Sequence, residues 1–277
     1  MRLRRGALRI IGAVKKQHPE CEMETGKFPK GAVLVFGGSG GIGQGVAKFF
    51  GQSGTDVAIV YRKKKDVADR VAGEIAKSGR KATVHAADVT DPAQLKEAVA
   101  AAIAAHGRIH TVVWAAGPVV EQVLLGDATP ALWKQSIDIE VHGFFNAVQA
   151  TLPHLREQGG GSYVHLGSAG HTWFPPKDGL SVVPKAANEA LCKGIAKEEG
   201  RNNVRANSIL VGVIEAGMFL ELLKRGVFDQ KWIEETQKLL PLKRWGQPEE
   251  IGSAAVFLAT NGYVTGQQIN VSGGFGI

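Results

Sequence analysis

Ser181 and Lys185 lie four residues apart in "GLSVVPKAANEALCKGIAKEEG" (179–200). In a helix that spacing brings two side chains to one face, provided the helix has already formed at Ser181. A hydroxyl beside an ammonium reads three ways: an activated nucleophile, a proton relay, or a surface pair. The nucleophile reading is the weakest, because Ser–Lys hydrolases space the pair S-x-x-K whereas here it is S-x-x-x-K.

A second stretch carries different chemistry. "VLVFGGSGGIGQGVAKFF" (33–50) satisfies G-x-G-x-x-G at Gly38, Gly40 and Gly43, and G-x-x-x-G-x-G at Gly37, Gly41 and Gly43. Between a strand and a helix, such glycines let the backbone approach a pyrophosphate at a positive helix N-terminus. Gly37, Ser39, Gly40, Gly41, Ile42 and Gly43 are therefore the candidate phosphate contacts. The next strand ends "VAIVYRKKKD" (57–66), with Arg62 and Lys63 where an acid would hold a ribose diol. Cations there favour a 2′-phosphate, so NADP(H) is the expected cofactor, Arg62 its main contact, and NAD(H) the lesser choice.

These residues need a frame. Short β-branched runs at 31–36, 56–61, 81–87, 110–116, 161–167, 204–210 and 267–272 read as strands. Helical stretches are expected near 42–53, 66–78, 92–106, 130–157, 183–200 and 248–260. The alternation predicts one α/β domain over 30–277: a Rossmann-type, doubly wound parallel sheet of about seven strands with helices on both faces. The irregular segment 212–247 reads as one or two short helices forming a substrate lid. Its Met218, Phe219, Leu222, Leu223, Phe228 and Trp232, with Trp173 and Phe174 elsewhere, fit either an apolar substrate or internal packing.

Of 277 residues, 44% are hydrophobic, enough for a sizeable core, and the net charge is +7. Residues 1–22 hold six cations against two anions, so the rest is only mildly basic, which speaks against nucleic acid as partner. Residues 1–29 are expected to be a disordered extension, or in part the product of a start placed upstream of Met23. The two cysteines, Cys21 and Cys192, show no metal or disulfide spacing. No apolar run reaches membrane-span length, and a cytoplasmic location is expected.

Taken together, "GGSGGIG" (37–43), "ADVTD" (87–91), "WAAG" (114–117), "HLGSAG" (165–170), Lys185, "NSILVG" (207–212) and "RWGQPEEIGSAAVFLATNGYVTGQQINVSGG" (244–274) resemble the short-chain dehydrogenase/reductase family. The likeness is to its ketoacyl-carrier-protein-reductase type and runs from about residue 29 to the end. It implies that Asp88 and Val89 lie along the adenine, Ala115, Ala116 and Gly117 along the ribose, and Gly212 and Ile214 by the carboxamide. It also implies a homotetramer or homodimer acting on a small molecule.

In that family a tyrosine four residues before the lysine gives a proton to the substrate oxygen, a serine orients the carbonyl, and an asparagine supports a water relay. Ser168 matches the serine and Lys185 the lysine, but the tyrosine position is Ser181 and the asparagine position Glu140. Tyr61, Tyr163 and Tyr263 are the only tyrosines, and none is placed to substitute. A serine hydroxyl is a far weaker acid than a phenol and shorter by a ring. A held water or His171 remains as donor, and Glu140 could fix Lys185 as an ion pair, making it a ribose anchor. Otherwise Lys185 would form a surface pair with Glu189. The expected function is NADP(H)-dependent reduction of a carbonyl or α,β-unsaturated compound. The alternative is a cofactor-binding sensor or partner subunit without turnover.

Overall fold

The computed structural model describes residues 27–277, so the extension expected over 1–29 lies outside the described residues except for its last three. Seven strands form one parallel sheet: β1 (Ala32–Phe36), β2 (Asp56–Tyr61), β3 (Ala82–Ala86), β4 (Ile109–Trp114), β5 (Gly161–Ser168), β6 (Val204–Val211) and β7 (Gln268–Val271). Their spatial order is β3-β2-β1-β4-β5-β6-β7. The chain winds one way from β1 to β3 and then returns to lay β4 against the other side of β1. The carboxyl ends of β1 and β4 thus flank the point where the winding reverses, where ligands of such sheets bind.

Nine α-helices cover the sheet among the described residues: α1 (Gly41–Gln52), α2 (Lys65–Lys77), α3 (Pro92–His106), α4 (Pro130–Ile137), α5 (Gly143–Glu157), α6 (Gly179–Glu199), α7 (Gly217–Lys224), α8 (Gln230–Lys238) and α9 (Pro248–Thr260). Strand β1 has both faces buried, because its side chains alternate between two cores. Ala32, Leu34 and Phe36 meet Leu95 of α3, Phe144 of α5 and Ile195 of α6. Val33 and Val35 meet Phe50 of α1, Ile75 of α2 and Leu258 of α9.

Two helices differ from their sequence expectation. The stretch expected as one helix over 130–157 is interrupted by a π turn, Asp138–His142, between α4 and α5. A 3.6-residue period cannot reveal the inserted residue, and such turns collect at functional sites. Helix α6 begins at Gly179, four residues before the expected 183, so Ser181 is inside it. Pro184, the sixth residue of the helix, lies inside it and removes one ladder donor from its second turn.

Candidate active site

The glycine loop leads from β1 into α1. A side chain at Gly37 would sit 2.6 Å from the Ala115 carbonyl oxygen, and one at Gly43 would overlap the Gly37 carbonyl. Those two glycines therefore serve close packing of strand, loop and helix. Gly40 is different: a Cβ there would meet only the Gly37 oxygen, at 3.1 Å. It is also the N-cap of α1, which has no side-chain cap and no acid in its first turn. An open glycine before bare helix N–H groups is the geometry an anion needs. Ser39 is buried beside it and Ile42 partly packed on the core of that face.

Beyond β2, Arg62 extends with half its side chain in solvent, its Nη1 3.8 Å from Asp88 Oδ2. The other Asp88 oxygen accepts from the Thr90 backbone N–H (3.0 Å) and hydroxyl (2.8 Å). The Thr90 backbone bond above all holds the Asp88 carboxyl below its ordinary range, with Arg62 and Lys63 adding to it. Val89 is core, its side chain against Gly143 and its carbonyl accepting from Asn146 Nδ2 at 3.3 Å.

At the centre, the Lys185 ammonium meets Glu140 Oε1. The Glu140 side chain is 2% exposed and that of Lys185 19%. Trp114 Nε1, at the end of β4, donates to Glu140 Oε2 at 3.4 Å. The Glu140 carbonyl accepts from Asn188 Nδ2 at 2.9 Å, tying the π turn to α6. A Cβ at Gly117 would lie 2.5 Å from Glu140 Oε1, so the glycine there makes room for the carboxylate. A carboxylate buried this far stays in place only with a cation and donors around it. The surface pair between Lys185 and Glu189 does not form, because the two side chains find different partners. Glu189 is buried, contacts His171 Nδ1 and accepts from Gln268 Nε2 of β7 at 2.9 Å. His171 is thereby bound on the side of β7.

Ser168 closes β5, and its Oγ accepts from the Gly170 N–H at 3.1 Å. Ser181 is buried, and its backbone N–H donates to the Asp178 carbonyl at 3.0 Å. Tyr163 is wholly buried, donating or accepting with Thr151 Oγ1 at 2.8 Å, and Tyr263 is fully exposed. Tyr61 ends β2. No phenol reaches the Ser181 region among the described residues.

At the far side, the absence of a side chain at Gly212 lets the Ser272 backbone approach; a Cβ would be 2.6 Å from its Cα. Ile214 is buried and bridges to Gly246. Helix α7 starts at Gly217 directly on the glycine loop: a Cβ at Gly41 would overlap the Gly217 backbone. The aromatic residues of 212–247 pack on one another, Phe228 and Trp232 stacking at 3.8 Å with Phe219 and Trp245 against them. Internal packing, one of the two sequence readings, therefore accounts for Phe219, Phe228 and Trp232.

Asn188, the Trp114 indole and Asp178 had no place in the sequence reading. Asp178 falls outside the helix expected over 183–200, and the other two are signalled only by long-range contact.

A parallel sheet that reverses its winding beside an uncapped glycine loop is the frame on which doubly wound α/β proteins bind nucleotides. Residues 37–276 match the family described as Enoyl-(Acyl carrier protein) reductase. The 3-oxoacyl-[acyl-carrier-protein] reductase FabG of Thermotoga maritima is 31% identical over 87% of this chain and 96% of its own. The L-rhamnose 1-dehydrogenase (NAD(P)(+)) of a Sphingomonas species is 32% identical over 87% and 94%. A short-chain type dehydrogenase/reductase from Mycobacterium ulcerans superposes with a TM-score of 0.83, at 30% identity and 90% coverage of both chains. The chain belongs to the short-chain dehydrogenase/reductase family, whose members are oxidoreductases using nicotinamide dinucleotides.

Proposed function

We propose that the protein is an NADP(H)-dependent reductase of a small carbonyl or α,β-unsaturated compound that works without a tyrosine proton donor. The observation that carries this is the Lys185–Glu140 pair, set beside Gly117 at the carboxyl end of β4 and near the glycine loop. When bound, the reduced nicotinamide supplies the hydride. The remaining work falls to the chain. The first-turn N–H groups of α1, behind Gly40, hold the pyrophosphate. Arg62 and Lys63 hold the 2′-phosphate, while Asp88 and Val89 line the adenine side. Ala115, Ala116 and Gly117 line the ribose side, and the backbone at Gly212 and Ile214 lies by the carboxamide.

Lys185, fixed by Glu140, acts as a stationary cation for the ribose. Ser168 orients the substrate carbonyl, and Ser181, too short and too weakly acidic to replace a phenol, leaves volume for a water. Segment 212–247 serves as a lid whose first turn presses on the loop. The relatives' names include a 3-oxoacyl-[acyl-carrier-protein] reductase and an L-rhamnose 1-dehydrogenase, which fits a small carbonyl or hydroxyl compound as substrate class. The exposed Trp133 and Phe145, on α4 and α5, support a homodimer or homotetramer.

A screen of NADPH oxidation against paired ketones and enones tests the reading. Turnover of at least one pair member is expected. NADPH binding without any oxidation would leave only the non-catalytic alternative.

A further inference from the structure

Asp178 stands at the N-cap of α6, a position where aspartate ordinarily accepts from the first helical N–H groups. Here the side chain makes no such bond, and its backbone carbonyl takes the Ser181 and Val182 N–H groups instead (3.0 and 2.9 Å). The carboxylate turns away from the helix to the loop after β4, where Gln122 Nε2 donates to Oδ1 at 3.2 Å. Oδ2 has no hydrogen-bond partner among the described residues. One turn later in the helix comes Ser181, the position that offers no phenol. Lys185 lies two turns on; its ammonium is on Glu140 Oε1, and its charge reaches Asp178.

We infer that Asp178 is the proton donor of this enzyme, delivering its proton to the substrate oxygen through the space at Ser181. This rests on the reductase reading above. The substrate carbon takes a hydride with its electron pair from the reduced nicotinamide, which is oxidised. The substrate oxygen takes the proton from the Asp178 carboxyl, by way of a water at Ser181 Oγ. Asp178 is left as a carboxylate, a form that the Lys185 charge and the Gln122 bond favour, and regains its proton from solvent. Burial raises the Asp178 carboxyl above its ordinary range, which keeps the acid form in play, while Gln122 and Lys185 pull the other way. Lys185 is the one charged group acting on it from the elements packed around it.

Two readouts test this. Infrared difference spectra of the ligand-free protein, wild type minus Asp178→Asn, are expected to show a carboxylic-acid band that titrates above the ordinary aspartate range. Its absence overturns the inference whatever the activity. NADPH oxidation with ethyl acetoacetate and with cyclohex-2-enone, followed against pH, is expected to fall as pH rises and Asp178 ionises. In Asp178→Asn that limb disappears and kcat/KM drops about 100-fold. In a Ser181→Tyr background the same change costs only a few-fold. Gln122→Leu, which removes a bond favouring the anion, moves the limb to higher pH; a structural role would not move it. Unchanged rate and pH profile in Asp178→Asn overturn the inference and leave the reductase reading intact. No oxidation of NADPH by wild type with any probe overturns both.

Discussion

Lys185 of α6 and Glu140 of the π turn, 45 residues apart in the chain, meet as an ion pair beneath the Trp114 indole. The relationship explains why a lysine can be held without a phenol next to it: the carboxylate supplies the fixed counter-charge. The same turn is tied to α6 a second time, its Glu140 carbonyl accepting from Asn188.

Removing one partner should expose the cost of the other. Glu140→Leu leaves the Lys185 cation without its carboxylate and is expected to lower stability by about 2–4 kcal/mol, the lower end reflecting the partial exposure of Lys185. Glu140→Leu with Lys185→Met should recover most of that loss. Urea denaturation of wild type, Glu140→Leu, Lys185→Met and the double variant measures it; single variants as stable as wild type would mean that the pair holds nothing.

The cations after β2 set the cofactor. Arg62→Ala is expected to weaken NADPH about tenfold and to leave NADH nearly unchanged, with Lys63→Ala acting in the same direction more weakly. NADPH affinity should also fall with salt. Fluorescence titration reads both cofactors, and equal wild-type affinities for the two would remove the 2′-phosphate assignment.

Two glycines should behave oppositely. Gly41→Ala drives a methyl into the Gly217 backbone, so α7 must move off the loop, and dinucleotide affinity should fall at least about tenfold. Gly73 lies in α2 with nothing within 4 Å of its missing Cβ. Gly73→Ala should raise stability by about 0.5–1 kcal/mol through helix propensity, with cofactor affinity unchanged. Titration and thermal melting of both variants check the contrast.

The frame was legible because it is written in local pattern. Buried runs such as "AVLVF" and "DVAIVY" can only be central strands, and the glycines after the first of them mark the strand-to-helix turn. The helix expected over 92–106 is α3, and Asp91 caps its Ala93 and Gln94 N–H groups beside Pro92. The π turn was not legible, since one inserted residue changes no local preference. Nor was the destination of Glu189, whose partners His171 and Gln268 come from the loop after β5 and from β7. Asp178 was hidden because the helix starts at Gly179 rather than 183, and the turn of its carboxylate to Gln122 is a long-range contact. Glu140 was found through a motif position, and its pairing with Lys185 follows from charge once burial brings the two together.

The claim that a reductase operates here without its phenol is tested most directly by stopped-flow NADPH oxidation with ethyl acetoacetate, comparing wild type with Ser181→Tyr. The account predicts a wild-type rate well below the ~10 s⁻¹ of a typical enzyme, and a rate at least about tenfold higher once Ser181→Tyr supplies a phenol beside Lys185. A wild type that reduces the ketone at typical rates, with Ser181→Tyr slower, would contradict it.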